Sequence, residues 1–184
     1  MSNARNLANL LGTNTTIQTA KLADDAITAA KLKSDAIQHL DLPSGSVLQA
    51  VKADYATANS FTGTNIYLGL QVAITPKSTS SKLLCFMTLA GLGTNGTGRV
   101  EYYFRHGTTG GDNSGSREGG VWHGEDSSVS TTQLVSLSTT VLITPATTST
   151  YYVKAVGHKH DGGTAYYNHY NSTESSIHVL EIAG

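Results

Sequence analysis

The chain has 184 residues, 14% of them charged, with 12 Lys plus Arg against 13 Asp plus Glu, a formal net charge of -1, 3 Pro and 1 Cys. This balance, with no basic cluster, excludes recognition of nucleic acid by phosphate neutralisation, and a lone Cys85 excludes an intrachain disulfide framework or a thiolate metal cage. No run approaches the roughly 18 apolar residues of a membrane helix, and the opening MSNARNLANLLG lacks the basic, apolar, small order of a secretory leader, so neither membrane insertion nor secretion is expected.

Residues 1–46 contain no Tyr, Trp, Phe or Cys. Within them Ile17-Gln-Thr-Ala-Lys-Leu-Ala-Asp-Asp-Ala26 aligns without a gap onto Ile27-Thr-Ala-Ala-Lys-Leu-Lys-Ser-Asp-Ala36, and a degenerate third copy starts at Ile37. Ile17, Leu22, Ile27, Leu32, Ile37, Leu42 and Val47 therefore recur every five residues. On an α-helix a step of five advances about 140° beyond a full turn, which scatters these residues around the cylinder. A coiled-coil seam needs a period near 3.5, and on a flat strand an odd step alternates faces, so neither accounts for the pattern. One copy buries two large aliphatics, worth about 3–6 kcal/mol, against about 10–20 kcal/mol of backbone entropy for ten residues. It cannot fold alone: the segment is either a flexible tether or, the reading taken here, a shaft built from parallel copies of the chain with the seven aliphatics as its assembly residues.

After Pro43-Ser44-Gly45-Ser46 the period changes to two. Strands are expected from Val47, over Leu70–Ile74 (stopped by Thr75-Pro76), Lys82–Ala90, Arg99–His106, Gly120–His123, Gln133–Thr144, Thr150–His158, Thr164–Tyr170 and Ser176–Ile182. Thr and Ser make up about a quarter of the chain and Gly contributes 19 residues, a composition suited to pleated, half-solvated strands and their turns. The fold class expected is mainly β: a jelly-roll-like β-sandwich over 47–184, preceded by a short repetitive shaft over 17–46 and an N-terminal segment 1–16. Gly91–Gly98 and Gly107–Gly120 are expected to be long loops, candidate contact surfaces without a phosphate-cradling pattern.

The opening Ala4-Arg5-Asn6-Leu7-Ala8-Asn9-Leu10-Leu11-Gly12, the repeats Ala20-Lys21-Leu22 and Ala30-Lys31-Leu32, the segment Ile74-Thr75-Pro76-Lys77-Ser78-Thr79-Ser80-Ser81-Lys82-Leu83-Leu84 and the terminus Val179-Leu180-Glu181-Ile182-Ala183-Gly184 together resemble a family of tailed-bacteriophage virion proteins. These are tail-fibre or appendage proteins of marine and cyanobacterial phages. The resemblance implies a virion protein assembled as a homotrimer, held through its N-terminus to another virion protein, with a β-rich head that meets a host surface glycan or decorates the particle.

The Tyr- and Asn-rich run Tyr166, Tyr167, Asn168, His169 and Tyr170 carries flat rings beside paired donors and acceptors, chemistry suited to sugars. Trp122 and His123, next to the second Gly-rich stretch, are candidates for the same ligand. His158 and His160 share a strand face by their spacing and are a candidate metal pair that lacks a third ligand nearby. No Gly-x-Ser-x-Gly elbow occurs, and the carboxylate pairs Asp24-Asp25 and Glu125-Asp126 sit in polar sequence. No cofactor and no enzymatic activity are expected; a small polysaccharide depolymerase is the enzymatic alternative.

Overall fold

Alternating apolar and polar residues fold into ten strands in the computed structural model, which describes residues 42–95, 98–125, 135–169 and 173–184, without the side chains of residues 124 and 125. The described residues belong to one compact unit spanning His39–Gly184. Ile17, Leu22, Ile27, Leu32, Ile37, Tyr170, Asp126 and the side chain of Glu125 lie outside the described residues.

The strands are β1 (Val47–Tyr55), β2 (Asn59–Phe61), β3 (Ile66–Ile74), β4 (Lys82–Asn95), β5 (Gly98–Gly107), β6 (Ser116–Glu125), β7 (Val135–Ile143), β8 (Tyr151–Lys159), β9 (Thr164–Tyr167) and β10 (Ser175–Ile182). One sheet runs β1-β10-β4-β9-β2, with β7 paired to the other edge of β4; the second runs β3-β8-β5-β6. The long strands therefore cross between two antiparallel sheets, β1-β10-β4-β7 and β3-β8-β5-β6, which is the interleaving of a jelly-roll sandwich.

Between the sheets lie Leu68, Leu70, Val72 and Ile74 of β3, Leu83, Cys85, Met87 and Leu89 of β4, Val100, Tyr102 and Phe104 of β5, and Ile177 and Val179 of β10, all under 4% exposed. Each large aliphatic buried in this way contributes about 1.5–3 kcal/mol. Cys85 behaves as one of these apolar residues, and burial pushes its thiol up to about 12. A buried carboxylate closes one end of the sandwich: Glu181 accepts hydrogen bonds from Gln49 Nε2 at 2.5 Å and from the Lys77 backbone N–H at 2.6 Å.

The first Gly-rich stretch is strand over its described residues Gly91–Asn95, and Gly98 opens β5. β4 continues through Gly91 to Asn95, and its far end pairs with β9. Gly91 has φ +59°, and a Cβ there would stand 2.5 Å from Thr173 Oγ1 and 2.8 Å from the His169 backbone nitrogen, so only glycine lets β4 pass this point. The second stretch shortens to the turn between β5 and β6, because β6 begins at Ser116.

Candidate functional site

The outward faces of the two sheets differ in chemistry. On β1-β10-β4-β7 the register aligns Ala50, Leu180, Leu84 and Leu142 in one row across four strands, with Phe86 in the next row beside His178 and Thr140. Leu142 is 58% exposed and Phe86 38%, so apolar surface stands in solvent between flanking Ser and Thr residues and the Lys52–Asp54 ion pair at 2.8 Å. Val47, at the start of β1, is also exposed, as is Leu42.

The opposite face, on β3-β8-β5-β6, is polar, aromatic and cationic. Along β5 the residues Val100, Tyr102 and Phe104 point into the core, which sends Arg99, Glu101, Tyr103 and Arg105 outwards. In register, Glu101 is flanked by Trp122 of β6 and His158 of β8, and Arg105 by Arg117 of β6 and Lys154 of β8. Trp122 and Arg117 are five residues apart, an odd step that would put them on opposite faces of a regular strand. A bulge reverses this: Tyr102 pairs with Val121 and Phe104 with Glu118, leaving one extra residue on β6, and Gly119 takes up the kink at φ +61°. The bulge thus places the chain's single Trp and all three arginines of residues 42–184 on the same sheet face.

The side chains form a continuous stack. The Arg99 guanidinium lies 5.5 Å from the Trp122 ring centroid, Trp122 and His160 lie 4.8 Å apart, and His160 and His158 stack at 4.0 Å. Glu101 is buried within this face, ion-paired to Arg117, with His160 Nε2 3.5 Å from its other carboxylate oxygen. Arg117 also covers the Tyr103 ring at 4.1 Å. Trp122 stays 51% exposed, a half-open indole above a neutralised carboxylate.

The β5–β6 turn folds over the lower half of the face. Lys154, fully buried, donates to Thr109 O at 2.8 Å and to Asp112 Oδ1 at 2.7 Å. Gly111 N–H donates to Gln71 Oε1 at 2.8 Å, and Asn113 donates to the Asn65 carbonyl at 2.5 Å. The Lys154 ammonium and the Ser114 hydroxyl hold Asp112 well below the usual carboxylate range, at about 2. Asn65 further accepts from Tyr103 O–H and stands 3.3 Å from His158 Nδ1. Burial, and then the neighbouring His160, lower the pKa of His158.

The sequence-based candidates divide accordingly. Trp122, His158 and His160 come together on the face just described. His123 does not: it is one step out of phase with Trp122, opposite Val100, and is buried on the core side. Tyr167 leaves the ligand set too, since it is 3% exposed, packs between Tyr55 and Phe61, and donates its hydroxyl to Leu68 O at 2.7 Å. Asn168 is a corner residue at φ 50°, fully buried, donating to Tyr55 O at 2.6 Å and accepting from Ser175 O–H at 2.6 Å. Tyr166 and His169 pack on each other at 4.9 Å, partly exposed and on the other sheet. As a metal pair, His158 and His160 have the wrong attitude: a shared ion needs lone pairs that converge, and rings stacked at 28° aim theirs side by side. No group of three or more His, Cys, Asp or Glu is arranged to hold a metal ion among the described residues. Arg99, Glu101 and Arg117 were missed; alternation along Arg99–Arg105 carried the signal for the first two, and the bulge hid the third.

No family model matches the sequence, and no curated protein matches it either. Among solved structures the chain is similar to the Eiger TNF protein of S. frugiperda, with TM-score 0.40 and 8% identity over 68% of this chain and 92% of that one. It is also similar to a chain of infectious bursal disease virus, Gx strain, with TM-score 0.35 and 14% identity over 75% of this chain and 33% of that one. The VP2 subviral particle of the same virus gives TM-score 0.35 and 12% identity over 76% and 34%. The assignment of the sandwich itself rests on this chain's own strand order.

Proposed function

We propose that this chain is a non-enzymatic virion structural protein, a tail-fibre-like homotrimeric appendage whose β head contacts saccharide on a host cell surface. In this reading residues 1–16 attach to another virion protein and residues 17–46 form the shaft. The observation that carries it is the unlike chemistry of the two sheet faces. The apolar row Ala50, Leu180, Leu84 and Leu142 suits burial against copies of the same chain, as the aliphatic repeat that cannot fold alone requires of its own residues. The half-open Trp122, backed by His160 and flanked by Arg99, suits a sugar ring, whose C–H face packs on an indole while its hydroxyls meet charged donors.

The experiment is adsorption of the purified full chain to host cells, with and without Trp122→Ala. Saturable adsorption that falls at least about tenfold in the variant, the expected size for removing an aromatic anchor, supports the reading. Saturable adsorption unchanged by Trp122→Ala moves the contact elsewhere. No adsorption, together with cofractionation with empty heads, makes the protein a head fibre or capsid decoration instead. Reducing ends released from host polysaccharide would make it a depolymerase.

A further inference from the structure

Two of the cations on the Trp122 face are already spent and two are not. Arg117 is paired to Glu101, and Lys154 to Asp112. Arg99 and Arg105 form no ion pair among the described residues: Arg105 donates to Gly115 O at 2.8 Å, and the Arg99 guanidinium is placed only by its contact with the indole. Asp161 accepts the Arg99 backbone N–H at 3.4 Å, not the guanidinium. Beside the half-open Trp122, the Arg99 side chain is thus a cation with no carboxylate partner among the described residues, set where an aromatic surface is open.

From this we infer that the ligand is an anionic saccharide, a sugar ring carrying a carboxylate or a sulfate, with the ring on Trp122 and the anionic group on the Arg99 fork. The inference rests on the saccharide reading above and specifies its chemistry. A guanidinium binds a two-oxygen anion through parallel N–H donors, a geometry that a lysine ammonium lacks. The 5.5 Å between Arg99 and the Trp122 centroid brings a substituent of a stacked ring within reach of that fork. A neutral sugar would offer the guanidinium only hydroxyl oxygens, weaker acceptors than a carboxylate or sulfate and without their paired geometry.

The test measures binding of the full chain, and of Arg99→Gln, Arg99→Lys and Trp122→Ala, to polygalacturonate, dextran sulfate and neutral dextran by titration calorimetry, with thermal melts confirming that each variant is folded. The expected result is binding to at least one of the two anionic polymers, about tenfold or more tighter than to dextran. It should weaken by a similar factor in Arg99→Gln and partly in Arg99→Lys, and fall to the dextran level or lower in Trp122→Ala. Which polymer binds identifies carboxylate or sulfate as the anionic group. Anionic binding unaffected by Arg99→Gln is non-specific attraction and overturns the inference, as does equal binding to dextran. Equal dextran binding that is lost in Trp122→Ala still leaves the saccharide reading intact. No binding to any polymer, combined with host adsorption insensitive to Trp122→Ala, overturns both.

Discussion

Replacing Lys154 by Met removes the ammonium that clamps the β5–β6 turn while keeping a side chain of similar length in the buried slot. Two hydrogen bonds from a charged donor are lost, to Thr109 O and Asp112 Oδ1. The shielded bond to Thr109 O contributes about 1.5–3 kcal/mol, whereas Asp112, 42% exposed, is rehydrated once the ammonium is gone, so the loss is taken from the first bond alone at about 2 kcal/mol. For a chain of this size the melting temperature should fall by roughly 4–8 °C. The loss should be local in its consequences, because Gly111–Gln71 and Asn113–Asn65 become the remaining ties of the turn. Hydrogen exchange of the Gly111 amide should accelerate, while the amides of β4 and β10 stay protected. The carboxyl of Asp112 should titrate higher than about 2 but below its ordinary 3.8, since Ser114 still donates to it. With a depressed folded value, the pair's stability is present above pH 3.8 and lost as pH falls towards 2, so the variant should show a weaker acid-side slope, the remainder being due to Ser114. An unchanged melting point together with unchanged Gly111 exchange would refute the clamp.

Three further outcomes follow from the same contacts. Gly157→Ala would set a methyl 2.3 Å from Phe61 Cζ, and Phe61 is held edge-on to Tyr102 at 6.3 Å, so overpacking should cost about 1–3 kcal/mol in denaturant titration; a neutral variant would contradict the packing of β2 on β8. Burial lowers the pKa of His106, whose Nδ1 lies 2.7 Å from the Tyr151 hydroxyl, and burial lowers His158 as well. Both have folded values below the unfolded 6.5, so stability should be full above that pH and decline as pH falls below it, and His106→Gln should flatten part of the decline measured by urea unfolding at pH 7 and pH 5. Leu142→Glu places a charge in the apolar row beside Leu84 and should shift dissociation of the proposed trimer, followed by dilution and light scattering, to concentrations at least about tenfold higher; no shift would remove that face from the proposed interface.

What the sequence made legible was whatever depends on strand period. The sandwich, its strand-rich order after residue 47 and the apolar burial of Cys85 all follow from alternation and composition, and Lys82–Ala90 lies within the central strand β4. Where the backbone leaves regular geometry, the period misleads. Tyr166, Asn168 and Tyr170 share one face only if the strand continues past Tyr167, whereas β9 stops there and Asn168 turns left-handed to satisfy the carbonyl of Tyr55. Arg117 and Trp122 read as opposite in parity, and the extra residue at Gly119 makes them neighbours on one face. Trp122 and His123 were paired as ligand candidates by adjacency, although adjacent strand residues necessarily point apart. Gly91 looked like loop chemistry because a glycine required by close approach inside a strand cannot be told from a turn glycine by composition.

The most direct measurement of the central claim is the mass of the full chain in solution at micromolar concentration by sedimentation equilibrium. The account predicts the mass of three 19.3 kDa chains, with the apolar row of β1-β10-β4-β7 withdrawn from solvent and the Trp122 face left open. A single-chain mass under those conditions would contradict it, because the Leu142 and Phe86 surface would then have no copy to pack against.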